Sequence, residues 1–276
     1  MPSAYPFPDS GGEPLGLLLQ PSPAPEAFQG CRCQRFEFSS RGDRVPGRLL
    51  LPPEPQGPAP LILLQHGTGG SKESPYLDVA VRWVHAGAAV ASIDFPLHGE
   101  RTSAKLSEQF FSSLAPGSWD DKNGMTEIGK ALWIDFTRQA VTDLRRSVDA
   151  LATLDGIDET RVAFGGFSLG AIVGALFCSV EERIRGAALA LAGGGFGPPE
   201  IDPCNAIAAI APRPVLFLNA LQDQRVPPAA SQALYEAALE PKRIEWFEAG
   251  HQNLPGTAMK SMWNFFREVL ELQRPQ

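Results

Sequence analysis

The sequence has 276 residues, a formal net charge of −7 at pH 7, and 43% hydrophobic against 20% charged residues. That length fits one large or two small domains, the apolar share supports a sizeable core, and the charge excess is too small for a disordered chain. With no long run of Lys or Arg, a nucleic-acid partner is excluded, and no apolar run reaches the roughly 18 residues of a membrane-spanning helix.

Residues 1–30 carry prolines at 2, 6, 8, 14, 21, 23 and 25, which predicts a proline-rich, irregular N-terminal arm. The arm has no basic start, so no signal peptide is read, although a leader already removed stays compatible. Residues 31–276 read as a single domain. It opens with two antiparallel strands, one with alternating Cys33, Phe36 and Phe38 and one over Val45 to Leu51, joined by a turn at Arg41-Gly42-Asp43. Leu61 to Leu64 is a strand buried on both faces, followed by a helix at about Tyr76 to Ala86 and a strand over Ala88 to Phe95. A long amphipathic helix is expected from about Ile134 to Leu154. Then come a strand at Val162 to Phe167, a helix at Leu169 to Val180, and strands at Ile184 to Ala192, Val215 to Ala220 and Arg243 to Phe247. Helices near Pro228 to Leu239 and Thr257 to Leu270 complete the series. Strands alternating with helices predict an α/β fold with a mostly parallel central sheet of about eight strands, covered by helices on both faces. The exception is a stretch at about 96–133 holding Phe110, Phe111 and Trp119, whose length and aromatic content predict a short lid-like insertion.

The sharpest chemical signal is Gly166-Phe167-Ser168-Leu169-Gly170, between a buried strand and a helix. A nucleophile on such a tight turn needs small neighbours, because its backbone is strained and adjacent segments come close. Serine is a poor nucleophile unless a base takes its proton, and the chain has 4 histidines. His251 follows the last strand, at the carboxyl edge of the sheet, and is the expected base; His98 and His66 are alternatives, and His85 reads as a surface residue. The imidazole needs a carboxylate to fix its tautomer. Asp223, in the loop after Val215 to Ala220, fits that role, with Asp202 as its rival. Acyl transfer also needs backbone N–H groups aimed at the developing oxyanion. The His66-Gly67-Thr68-Gly69-Gly70 turn supplies the Thr68 N–H, and Leu169 supplies the second.

Together with Asp94-Phe95-Pro96-Leu97-His98-Gly99-Glu100, these motifs resemble the α/β-hydrolase superfamily over residues 32–272, with nucleophile, acid and histidine in the superfamily's order. Within it the chain is most similar to dienelactone-hydrolase-like and prolyl-oligopeptidase-like esterases. It departs from dienelactone hydrolases proper in having serine rather than cysteine at 168, and from the peptidases in having Ala171 after Gly170. The resemblance implies an α/β-hydrolase fold and a serine carboxylesterase for small to medium esters, acting through an acyl-enzyme on Ser168 and needing no cofactor or metal. An amidase, peptidase or acyltransferase with the same triad, or a non-catalytic ligand-binding protein, is the alternative. It also implies that Asp94 and His98 shape the floor of the site. The apolar residues nearest the motifs, Phe95, Leu97, Phe110, Phe111, Trp119, Phe167 and Leu254, are the expected pocket lining. The expected partner is a small-molecule ester, and a homo-oligomer stays open.

Asp143, Arg145, Arg146 and Asp149 lie at helical spacing and read as a solvated or ion-paired face, with Arg146 available to brace a loop. Cys31, Cys33, Cys178 and Cys204 are too few for a disulfide scaffold and lack C-x-x-C spacing. Cys31 and Cys33 read as neighbours on one face of a strand, and reduced thiols make the cytoplasm the default location.

Overall fold

The computed structural model describes residues 7, 12–114, 126–195 and 197–272. Among these residues, nine strands form one sheet in the order β1-β2-β3-β5-β4-β6-β7-β8-β9. They are β1 (Leu18–Ser22), β2 (Arg32–Ser40), β3 (Asp43–Leu51), β4 (Ala59–Gln65), β5 (Ala89–Ile93), β6 (Ile157–Phe167), β7 (Ile184–Ala190), β8 (Val215–Ala220) and β9 (Lys242–Phe247). β1, β2, β3 and β5 pair antiparallel, whereas β5, β4, β6, β7, β8 and β9 run parallel. The central parallel strands are covered on both faces: every residue of β4, β5 and β8 is buried.

The described residues also form six α-helices: α1 (Val81–His85), α2 (Ala104–Leu114), α3 (Glu127–Ala152), α4 (Leu169–Val180), α5 (Pro228–Ala237) and α6 (Gly256–Val269). One core holds Trp133, Val141 and Leu144 of α3 with Leu176 of α4 and Leu234 of α5. The opposite core holds Trp83 of α1 and Met262, Phe265 and Phe266 of α6. The crossovers leave the loops after β4, β6, β8 and β9 together at the carboxyl edge of the sheet, where open α/β sheets place their ligands.

The structure departs from the sequence expectations in a few places. The N-terminal arm is not wholly irregular: Leu18–Ser22 pairs with β2 as an edge strand, where a proline is tolerated because an edge strand has a ladder on one side alone. Among the described residues the sheet thus has nine strands, in keeping with the expected number of about eight. Arg41 and Gly42, with φ of 50° and 82°, make the two-residue hairpin turn between β2 and β3. Within the stretch at 96–133, the described residues Ala104–Leu114 and those from Glu127 onward are helical. α3 starts at Glu127, where the Thr126 hydroxyl accepts the Gly129 N–H at 3.1 Å and caps the helix. Trp119 lies outside the described residues.

The charged set on α3 is ion-paired, as expected, and Arg146 braces a neighbouring segment. Asp143 is fully buried and pairs with Arg101 Nη1 at 2.6 Å. Arg146, 2% exposed, donates from Nε to the Ser39 carbonyl and from Nη2 to the Glu13 and Pro14 carbonyls, bracing the N-terminal segment. Cys31 and Cys33 share the second core, so their alternation is packing.

Candidate active site

Ser168 sits between β6 and α4 with φ 53° and ψ −117°, a backbone conformation sparsely populated for a residue with a side chain. The turn holds because its glycines let three segments close in. A Cβ on Gly170 would lie 2.5 Å from the His66 carbonyl oxygen, and one on Gly166 would lie 2.6 Å from the Gly170 backbone. Ser168 N–H donates to the Ala190 carbonyl at 2.8 Å, tying the elbow to β7.

The hydroxyl of Ser168 lies 2.8 Å from His251 Nε2. His251 Nδ1–H donates to Asp223 Oδ2 at 2.7 Å. A carboxylate can only accept, so Nδ1 carries the proton and Nε2 is free to accept from Ser168. Asp223 Oδ1 accepts from the N–H groups of Arg225 and Val226 at 2.8 and 2.9 Å, which fixes the carboxylate in its loop. The rival carboxylate, Asp202, is turned into its own loop, accepting from Gly195 and Cys204 N–H groups at 2.9 Å each. The structure therefore brings Ser168, Asp223 and His251 together and leaves Asp202 apart.

The loop after β4 lies against the elbow: a Cβ on Gly67 would meet Ser168 Cβ at 3.2 Å. Leu169 N heads helix α4, where first-turn N–H groups have no intrahelical partner. His66 is fully buried and shapes the loop from beneath. Its Nδ1–H donates to the Gly67 carbonyl at 2.8 Å, and its Nε2 accepts from Phe95 N–H at 3.2 Å. Burial, above all, pushes its pKa down to about 4, which keeps the ring neutral in this tautomer. Asp94, also fully buried, takes Lys72 N–H at 2.7 Å and Lys72 Nζ at 3.1 Å, and so anchors the far end of the same loop.

A cavity of about 370 Å³ opens above Ser168. Thr68, Phe167, Ser168, His251 and Leu254 line it, as the sequence suggested. Its remaining walls come from Gly67, Tyr76, Val79, Leu191, Arg225, Gln252 and Met259. Four expected wall residues are elsewhere. Phe95 and Phe110 are fully buried, and Leu97 and Phe111 pack against the same core. The physical reason is an aromatic cluster: Phe110 stacks on Phe136 at 4.3 Å between ring centroids, and His98 lies edge-on to Phe111 at 4.9 Å. Of the wall residues the sequence reading missed, Val79, Leu191 and Met259 carry no local signal that separates them from ordinary core positions.

Among the described residues, no group of His, Cys, Asp and Glu is placed to hold a metal ion, and no helix is long and apolar enough to cross a membrane.

The family model of acetyl xylan esterase (AXE1) matches residues 19–191. No curated protein sequence matches the chain significantly. Among solved structures, acetyl xylan esterase from Paenibacillus sp. R4 superposes with TM-score 0.75 at 19% identity, covering 94% of this chain and 90% of that one. Acetyl xylan esterase 1 from Thermoanaerobacterium sp. JW/SL YS485 gives TM-score 0.70 at 21% identity, covering 94% and 89%. A cold-adapted esterase from an Arctic intertidal metagenomic library gives 0.68 at 21%, covering 91% and 99%. At these identities the structural likeness speaks to the fold, which is that of the α/β hydrolases. The family match takes in β1 to β7 and includes Thr68 and Ser168, while Asp223 and His251 lie beyond it. The matched span is well over half of the sequence, and the chain belongs to the acetyl xylan esterase (AXE1) family, a hydrolase acting on ester bonds.

Proposed function

We propose that this serine carboxylesterase hydrolyses short-chain carboxylic esters, acetyl esters of a carbohydrate among them, through an acyl-enzyme on Ser168. The observation that carries the reading is the unbroken hydrogen-bond chain from Ser168 Oγ through His251 to Asp223, 2.8 and 2.7 Å long, opening into the cavity.

In this reading Ser168 Oγ attacks the ester carbonyl while His251 Nε2 takes its proton. Asp223 holds Nδ1–H and stabilises the imidazolium. The N–H groups of Thr68 and Leu169 receive the oxyanion. Collapse of the tetrahedral intermediate expels the alcohol, which collects the proton from His251. Water then enters, His251 again serves as base, and the acid leaves with Ser168 restored. The apolar walls formed by Val79, Phe167, Leu191, Leu254 and Met259 suit an acyl group of modest size.

The test is hydrolysis of p-nitrophenyl esters from acetate to long chains, together with acetylated xylo-oligosaccharides. The reading expects kcat/KM to be highest for the shortest acyl groups, and acetate to be released from the sugar. A preference for long chains with no release from the sugar would overturn the substrate assignment.

A further inference from the structure

We propose that Tyr76 is a positioning residue for the oxyanion donor at Thr68, acting through the Gly67 backbone. The inference rests on the acyl-enzyme reading above. Tyr76 lies on the 3-10 turn Pro75–Ala80, and its hydroxyl accepts the Gly67 N–H at 2.8 Å. The same hydroxyl is hydrogen-bonded to the Ser74 hydroxyl, whose oxygen accepts Ser71 N–H at 2.8 Å. At its other end Gly67 presents its carbonyl to His66 Nδ1–H at 2.8 Å and to Gly70 N–H at 3.1 Å.

Both polar groups of Gly67 are thus held, and between them lie the two backbone torsions that glycine otherwise leaves loose. The next peptide plane carries the Gly67 carbonyl on one side and the Thr68 N–H on the other, pointing in opposite directions because the bond is planar and trans. Fixing the carbonyl toward His66 therefore aims the Thr68 N–H away from His66, on a residue that lines the cavity with Ser168. Tyr76 secures the near end of this arrangement and His66 the far end.

Two further observations fit the strap. A Cβ on Gly70 would lie 2.7 Å from the Tyr76 hydroxyl, 2.8 Å from that of Ser74 and 3.1 Å from the Gly67 carbonyl oxygen, so a side chain there disturbs both ends of the strap. The Tyr76 ring packs edge-on to Phe167, the residue before the nucleophile, with centroids 5.5 Å apart. One side chain therefore touches both the elbow and the loop that faces it. Tyr76 is 42% exposed, so its place in the fold does not depend on deep burial.

The test compares Tyr76→Phe, Gly70→Ala and Ser168→Ala with the native protein on p-nitrophenyl acetate, using phenylboronic acid as a probe of the tetrahedral state. Tyr76→Phe and Gly70→Ala are expected to lower kcat about 10- to 100-fold, with KM within about twofold. Boronic-acid inhibition should weaken in step with kcat, while the thermal midpoint stays near native for Tyr76→Phe. Native kcat and native boronic-acid affinity in Tyr76→Phe would overturn the proposal. So would a loss carried in KM alone, which a mere wall residue would give. Should Tyr76→Phe fail to fold, Gly70→Ala, which keeps the hydroxyl but pushes it aside, decides the matter on the same readouts. Full activity in Ser168→Ala would instead sink the acyl-enzyme reading itself.

Discussion

His251 Nδ1 and Asp223 Oδ2 are 2.7 Å apart, and the aspartate side chain is only 2% exposed. Its other oxygen is held by two backbone N–H groups of its own loop. The carboxylate is thus oriented by β8 and the loop after it rather than by the histidine. Asp223→Asn can keep those backbone bonds through its carbonyl oxygen, but it turns an NH₂ group toward Nδ1 and so forces the wrong tautomer. Turnover should fall about 10⁴-fold, with a thermal midpoint close to native. Asp223→Ala should lose the same activity and also stability, because the Arg225 and Val226 N–H groups are left unpaired. Steady-state kinetics and thermal melts of the two variants check this.

The elbow depends on close backbone approach. Gly170→Ala would drive a methyl group to 2.5 Å from the His66 carbonyl oxygen and 2.7 Å from that of Gln65. These are backbone atoms of β4 and its loop and cannot swing aside. The variant should cost about 1–3 kcal/mol of stability and lose most activity, because β4 and α4 must separate beneath the site. A denaturant titration at native-like activity would contradict this.

The sheet was readable because Leu61 to Leu64, Val162 to Phe167 and Val215 to Leu218 are continuous runs without a polar side chain, as strands buried on both faces tend to be. Once that sheet is parallel, Ser168, Asp223 and His251 all fall in loops at its carboxyl edge, so their meeting follows from topology. The pocket walls were not readable in the same way. Phe95, Phe110 and Phe111 are near the motifs in sequence, yet their rings gather with His98 and Phe136 in the core, while Met259 arrives from α6 on the opposite face. Which side an aromatic faces depends on long-range packing that no local pattern encodes. β1 was hidden by Pro21, and the start of α3 by Gly129 and the polar residues around it.

Burial separates the charged pairs. Burial raises the pKa of Asp143, and Arg101, itself 7% exposed in its side chain, opposes that shift. Asp143→Ala would leave Arg101 with its 3.0 Å contact to exposed Asp43 and its 3.2 Å bond to the Asp94 carbonyl, but without a buried counter-charge, and stability should drop by about 3 kcal/mol. Asp149 pairs with Arg183 at 2.7 Å, but both side chains are about two-fifths exposed, so Asp149→Ala should cost less than about 1 kcal/mol. Chemical denaturation of the two variants compares them directly.

His66 predicts a dependence of stability on pH. Its pKa is about 4 in the fold, lowered chiefly by burial, against about 6.5 in the unfolded chain. Between these values the unfolded state binds the extra proton, so stability is fully present above about pH 6.5 and is lost as pH falls toward 4. His98 is shifted in the same direction by burial and adds to the trend. Thermal midpoints should fall across that window. Nitrogen chemical shifts should show His66 still neutral, with Nδ1 protonated, at pH 5.5. A His66 signal titrating near 6.5 would contradict the buried assignment.

Ester hydrolysis by this triad passes through a covalent intermediate on Ser168. The most direct measurement is rapid-quench mass spectrometry of the protein mixed with p-nitrophenyl acetate, run beside Ser168→Ala. The expected result is an acetyl adduct on the peptide containing Ser168, formed and consumed at rates consistent with turnover, and a loss of kcat of about 10⁴- to 10⁶-fold in the variant. Turnover without any adduct on that peptide, or undiminished activity in Ser168→Ala, would contradict it.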